Sequence, residues 1–94
     1  MATSEQVTIT VSFSGWLSAY FDADTLAIPT TPRLADALPD VIDRVMQQAR
    51  RPIPQGGMHI FVNGVLAQKL MGEDYRLNDG DRFTFVPVVA GGAA

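Results

Sequence analysis

The residues best suited to chemistry are the last six, Val89-Ala90-Gly91-Gly92-Ala93-Ala94. Glycine lacks a side chain, so Gly91 and Gly92 make a thin, pliable arm that could enter a narrow active-site channel. The arm follows a strand-like segment at residues 82–87. The group it offers is the Gly92 carbonyl, which is held in a peptide bond to the next residue. A reaction at a Gly92 carboxylate would first require removal of the two alanines, and the chain would then be a precursor.

The rest of the chain offers little catalytic equipment. Cysteine is absent, which excludes disulfides, thiolate nucleophiles and Cys-based metal sites. The single histidine, His59, lies between Met58 and Ile60 and is predicted to be an ordinary strand residue rather than a ligand. No His/Asp cluster, triad or Gly-rich phosphate loop is present, so neither a metal nor a bound cofactor is predicted. We expect the chemistry to occur at the chain's own terminus, in the active site of another protein.

Length and composition describe one small globular domain. The 94 residues leave no room for a second core, and 47% hydrophobic with 18% charged residues is typical of a folded chain. The net charge of −3 comes without a stripe of Lys and Arg, which argues against nucleic-acid binding. No apolar run approaches membrane-spanning length, and the start lacks a basic signal-peptide region. We therefore expect a cytoplasmic protein that binds neither nucleic acid nor membrane.

Hydrophobic alternation predicts the strands. In the first of them apolar residues alternate with Thr and Ser, which is typical of a half-buried strand. Residues 16–24 favour a short helical turn over a tight hairpin. Pro29 is expected to stop the second strand, and Asn63-Gly64 is a strong hairpin signal. The predicted strands are Val7–Phe13, 25–28, Met58–Val62, 65–67 and 82–88.

One long helix is predicted between the second and third strands. The residues Thr30-Thr31-Pro32 indicate its start, with a Thr cap and a proline in the first turn. Apolar residues then recur at helical spacing from Leu34 to Ala49, and two further prolines end the segment. Pro39 leaves two alternatives, because inside a helix it clashes with the preceding turn. Either the helix kinks there, or it begins near Ala37.

This order of elements predicts an α+β fold in which one helix packs on one face of a mixed sheet of four or five strands. The domain is expected to span residues 1–88, followed by the flexible tail 89–94. A turn at residues 78–81 would connect the later part of the domain to its last strand.

Three motifs resemble those of the MoaD/ThiS family of ubiquitin-like sulfur carriers. They are Ile60-Phe61-Val62-Asn63-Gly64, Asn78-Asp79-Gly80-Asp81-Arg82, and the segment from Phe85 through Pro87 to Gly91-Gly92. Each motif is weak alone, but the three occur in the family's order and spacing, with the di-glycine in register. The resemblance implies a β-grasp fold over nearly the whole chain. The long segment 14–24 is similar to the molybdopterin-synthase small-subunit branch, whereas the thiamine branch has a short turn there.

The resemblance also implies the chemistry of a carrier rather than an enzyme. Typical members end at the second glycine, so Ala93-Ala94 is either a propeptide or a tolerated extension without a role. In the first case, a JAMM-type metalloprotease would cut between Gly92 and Ala93. A ubiquitin-activating-type adenylyltransferase would use ATP to adenylate the Gly92 carboxylate, with Val89, Ala90 and Gly91 in its channel. Sulfide, or a persulfide on a sulfurtransferase, would displace AMP. The resulting thiocarboxylate would donate sulfur to an acceptor held by a synthase subunit, in molybdenum cofactor, amino-acid or other biosynthesis.

Two further questions stay open at the level of sequence. Phe83, Phe85, Asp79 and Arg82 are candidates for partner docking near the arm, and the alternative places the rings in the core and the polar residues in a solvated turn. The function has alternatives as well. The same arm would serve a protein modifier conjugated to lysines through Gly92, and an inert tail would leave a non-covalent β-grasp interaction module.

Overall fold

The computed structural model of the protein describes residues 6–51, 53 and 58–87, so the predicted tail 89–94 and the domain boundary before it lie outside the described residues. Five strands and two α-helices occur in the described ranges, together with one 3₁₀ helix. The elements are β1 Val7–Phe13, the 3₁₀ helix Gly15–Tyr20, β2 Thr25–Thr30, α1 Leu34–Gln47, β3 Met58–Val62, β4 Val65–Leu66, α2 Ala67–Met71 and β5 Arg82–Pro87.

The strands form one mixed sheet in the order β2-β1-β5-β3-β4. The two central strands, β1 and β5, are parallel to each other, and the other pairs are antiparallel. Helix α1 contributes Leu34, Ala37, Val41 and Val45 to the same buried cluster as the apolar face of the sheet. The α+β, β-grasp arrangement expected from the sequence is therefore confirmed.

The alternation of β1 places its apolar residues in the core. Ile9 and Val11 are buried, whereas Thr8 is exposed and Thr10 half-buried on the other face. The register then builds layers across the sheet, because Val11 lies opposite Phe83, which in turn lies opposite Val62. All three of these side chains are fully buried. The strand that leads toward the C-terminus, β5, thus lies in the middle of the sheet with its apolar face in the core.

Pro29 lies inside β2, so the prediction that it stops this strand is wrong. β2 is an edge strand, where a residue without an N–H group can be tolerated. Pro29 lies opposite Thr8, whose own N–H and C=O bond to Asp79 and Gly80 on the far side of β1. No hydrogen bond of the β1–β2 ladder therefore depends on the missing N–H group.

The predicted start of the long helix is also wrong. Thr30 ends β2, and its hydroxyl donates to the Asp40 carboxylate at 3.0 Å instead of capping the helix. Helix α1 begins at Leu34, after Arg33, which makes no side-chain cap. The chain before it is held by hydrogen bonds to a later loop, since the Leu34 N–H donates to the Tyr75 carbonyl. Tertiary pairing replaces the local cap.

Of the two alternatives for Pro39, the one that starts the helix near Ala37 is wrong. Pro39 lies inside α1, with its side chain exposed. The helical turn expected in residues 16–24 is confirmed as the 3₁₀ helix. The Asn63-Gly64 hairpin is confirmed by positive φ angles of 51° and 87° at these two residues, which a primed turn requires.

Candidate functional site

The predicted reactive carbonyl of Gly92, the arm residues Val89, Ala90 and Gly91, and the cleavage point before Ala93 all lie outside the described residues. The structure does describe the strand that leads to them. On the β3 side, β5 is paired up to its end, where Pro87 lies opposite Met58. On the β1 side, the last bond is that of the Ser14 N–H to the Phe85 carbonyl at 3.0 Å. The base of the arm is therefore a central strand anchored on both edges.

The 3₁₀ helix Gly15–Tyr20 lies beside the end of β5. Gly15 has a φ of +61°, and a Cβ placed on it would lie 3.7 Å from Cγ of Pro87. Leu17 and Phe21 anchor the segment because both are buried in the core. The Phe21 ring also stacks on Phe13 at a centroid distance of 3.9 Å. The segment is thus fixed against the sheet at the point where β5 ends.

The outer side of this segment carries a group of side chains that we call the Trp16 ladder, formed by Trp16, Tyr20 and Arg51. The Trp16 and Tyr20 rings meet edge to face with centroids 5.7 Å apart. The Arg51 guanidinium lies over the Tyr20 ring, 4.6 Å from its centroid. Trp16 is 46% exposed, although tryptophan is normally well buried.

Residues after helix α1 contact the segment that carries Trp16 and Tyr20. The Arg50 N–H donates to the Tyr20 carbonyl at 2.7 Å, and the Arg50 side chain pairs with Asp22 at 3.4 Å. Both partners of this ion pair are largely exposed, so it adds little stability by itself. Together with the backbone bond, it fixes the position of Arg51 relative to Tyr20.

The two turn motifs meet at the other end of the sheet. The Asn63 N–H donates to the Arg82 carbonyl at 2.8 Å, and the Arg82 N–H donates back to the Asn63 side-chain oxygen at 2.9 Å. The Tyr75 hydroxyl lies 3.4 Å from both the Asn63 amide nitrogen and the Asp81 carboxylate. The motifs therefore form one polar network that closes this end of the domain.

The aspartates of the second turn continue the pairing of the central strands. The Asp79 carboxylate accepts the Thr8 N–H at 2.7 Å, and the Gly80 N–H donates to the Thr8 carbonyl at 2.9 Å. The Asp81 carboxylate accepts the Asn78 N–H at 2.9 Å and so closes the turn. These carboxylates have structural hydrogen-bonding roles.

The structure corrects the predicted docking residues. Phe83 and Phe85 are 0% exposed, so their rings belong to the core and cannot contact a partner. Arg82 and Pro87 are the two ends of β5, about 17 Å apart at the ordinary rise of a strand. Arg82 and Asp79 therefore lie at the end of β5 opposite the arm and not beside it. Both residues are exposed, and a docking role for them stays a prediction.

Sequence reasoning missed the Trp16 ladder. It placed Trp16 correctly in a helical turn, but the pairing of Tyr20 with Arg51 joins residues from separate elements and has no local signal.

His59 lies exposed on β3, with its ring 6.4 Å from that of Phe61, and is the strand residue that was expected. Within residues 6–51, 53 and 58–87, no group of three acidic or histidine side chains could hold a metal ion. No helix in the same ranges is long and apolar enough to cross a membrane.

The sequence profile of the ThiS family matches residues 13–92 of the chain. A search of curated proteins finds no significant match.

Several solved structures share the fold. The small archaeal modifier protein 1 of Methanosarcina acetivorans superposes with a TM-score of 0.64 at 20% identity, covering 94% of this chain and 99% of its own. Urm1 of Trypanosoma brucei gives 0.64 at 24% identity, covering 96% and 100%. The HVO 2177 protein of Haloferax volcanii gives 0.63 at 20% identity, covering 93% and 88%. At these identities the likeness concerns the fold alone.

Proposed function

The chain belongs to the ThiS family, and on that premise we propose that it is a sulfur carrier whose reactive group is a thiocarboxylate at Gly92. It acts as a substrate and co-substrate of other proteins rather than as an enzyme. The sulfur resides on the terminal carbonyl, so a chain without cysteine can carry it.

The observation that carries the proposal is the extent of the family match. It begins at Phe13, the last residue of β1, includes the other four strands and ends at Gly92, so that Ala93 is the first residue beyond it. The match therefore includes both glycines of the arm and excludes the two alanines. We infer that Gly92 is the functional terminus and that a protease of the JAMM type removes the residues beyond it.

A carboxylate is a weak electrophile, so the Gly92 carboxylate must be activated after cleavage. In the active site of an activating-type adenylyltransferase, the Gly92 carboxylate attacks the α-phosphorus of ATP, forming an acyl-adenylate and releasing pyrophosphate. Sulfide attacks the acyl carbon and expels AMP, which gives the thiocarboxylate directly. Alternatively, the outer sulfur of a sulfurtransferase persulfide attacks and expels AMP, and a thiol then reduces the resulting acyl disulfide to the thiocarboxylate, with a new disulfide as the other product. The thiocarboxylate that remains is a nucleophile, and it transfers its sulfur to an acceptor bound by a synthase subunit.

The segment between β1 and β2 supports a finer proposal about the branch of the family. It contains the 3₁₀ helix Gly15–Tyr20 in place of a short turn, and a long segment here is the feature by which the sequence resembles the molybdopterin-synthase small subunit. We propose that the protein acts as the small subunit of a sulfur-transferring synthase. The acceptor is then a molybdopterin precursor, or an amino-acid or other metabolite skeleton.

The test uses two forms of the chain, one ending at Gly92 and one carrying Ala93 and Ala94. Each is incubated with the adenylyltransferase encoded in the same genome, ATP and sulfide, and its intact mass is measured. We expect the form ending at Gly92 to gain the mass difference between sulfur and oxygen, and the longer form to stay unchanged. Failure of the shorter form to be adenylated would refute the proposal.

A second candidate is a protein modifier joined through Gly92 to lysines of other proteins. It is favoured by the fold it shares with a protein that is itself described as a small archaeal modifier. Lys69 is the only lysine of this chain, so single conjugation is more plausible than branched chains. High-mass conjugates on an immunoblot, lost when Gly92 is deleted, would support the modifier. Their absence under oxidative stress and starvation would count against it.

A further inference from the structure

We propose that the Trp16 ladder is the docking surface for the adenylating enzyme that activates Gly92. The inference rests on the proposed function, since it requires an enzyme that acts on this terminus. It places the contact on the segment between β1 and β2, away from the turn motifs that the sequence singled out.

The length of the arm limits where such an enzyme can lie. Gly92 is five residues beyond Pro87, a reach of about 17 Å for a fully extended chain. An enzyme that holds Gly92 in its catalytic centre must therefore approach the end of β5 to within that distance. Gly15 packs beside Pro87, and Trp16 is the next residue along the chain. The Trp16 ladder therefore lies beside the end of β5 that the enzyme must approach, whereas Asp79 and Arg82 lie at the other end of β5.

The ladder has the composition and rigidity of an interface anchor. Trp, Tyr and Arg are the residues most enriched among those that dominate binding energy at protein interfaces. The side chains already contact one another, and buried Leu17 holds the segment that carries two of them. Little side-chain freedom remains to be lost on binding, which favours affinity. Trp16 is also the most exposed of the three large exposed apolar side chains in the described ranges.

The activating enzyme is the occupant that the chemistry selects. Adenylation of Gly92 precedes both sulfur transfer and conjugation, so the surface is needed whichever fate the activated terminus has. The exposed Arg51 adds a positive charge over the Tyr20 ring, and an acidic surface on the enzyme would complement this charge.

The single tryptophan makes the contact directly observable. The chain ending at Gly92 is produced with 5-fluorotryptophan, which gives one ¹⁹F resonance from Trp16, and is titrated with the unlabelled adenylyltransferase. We expect this resonance to shift or broaden and to saturate with the enzyme. ATP–pyrophosphate exchange, measured on the same samples, reports adenylation separately from contact.

Three variants give the energetic test. We expect Trp16→Ala to weaken enzyme binding about 30-fold, as for a central anchor residue. Val65→Ala and Met71→Ala remove the other two large exposed apolar side chains, which lie elsewhere on the domain, and should leave binding within about twofold. Because about half of the Trp16 side chain is buried, its loss should also lower the thermal midpoint, so binding is compared at a temperature at which all three variants are folded.

The outcomes separate the two proposals. Exchange without a shift of the Trp16 resonance, or equal losses in all three variants, would overturn the docking surface and leave the carrier chemistry intact. A saturating shift without exchange would keep the surface and refute the proposed chemistry. If neither appears, both proposals are wrong.

Discussion

Replacing Asp79 with alanine tests whether the second turn motif is structural. The Asp79 carboxylate accepts the Thr8 N–H at 2.7 Å, where the central strands β1 and β5 begin to pair. If that bond is the role of Asp79, Asp79→Ala lowers stability and leaves partner binding unchanged. If Asp79 instead docks a partner, the substitution weakens partner binding and leaves stability unchanged.

The size of the effect can be worked from the geometry. Hydrogen bonds to charged groups contribute about 1.5–3 kcal/mol, and the lower end applies because this bond is exposed and the freed Thr8 N–H can bond to water. For a domain of this size, a loss of about 1.5 kcal/mol lowers the thermal midpoint by about 6–12 °C. Asp79→Asn keeps an acceptor oxygen without the charge, so we expect about half that loss.

Thermal unfolding followed by circular dichroism measures the loss, and the KM for the chain in ATP–pyrophosphate exchange measures docking. Asp24→Ala is the matched control, because Asp24 is exposed and has no hydrogen bond or ion pair with the described residues. An unchanged midpoint together with a several-fold higher KM for Asp79→Ala would refute the structural assignment.

Substitutions at two further positions test the helix and the core. Pro39→Ala should raise the free energy of unfolding by about 1–2 kcal/mol, measured by denaturant unfolding. Proline costs about 3 kcal/mol inside a helix, and its stiffening of the unfolded chain offsets part of that cost. A lower denaturation midpoint for the variant would show that α1 depends on the proline. Phe83→Ala should cost about 3–5 kcal/mol and Phe83→Leu about 1 kcal/mol, because the ring is fully buried. A normally folded Phe83→Ala that no longer binds the activating enzyme would contradict the core assignment.

Much of the fold could be predicted because its signals are local. The alternation in Val7–Phe13 and the Asn63-Gly64 turn both depend on neighbouring residues, and both are found in the structure. The misplaced boundaries have tertiary causes. Pro29 is tolerated because β2 is an edge strand, and α1 starts late because the chain before it pairs with the loop that contains Tyr75.

The candidate site also has parts that the sequence predicts and parts that only the structure shows. The di-glycine arm is a feature of the sequence itself, so composition and motif order suffice to find it. Which face of β5 is buried could be assigned only from the paired sheet, because the register shows that Phe83 lies between Val11 and Val62. The Trp16 ladder could not be predicted, since Tyr20 and Arg51 come together only when the chain after α1 returns to the 3₁₀ helix.

The most direct test of the carrier function is the intact mass of the protein purified from its own host under non-reducing conditions. We expect a chain that ends at Gly92, lacks the residues beyond it and carries sulfur in place of one terminal oxygen. A chain that still ends at Ala94 in cells actively assimilating sulfur would contradict both the processing and the carrier role.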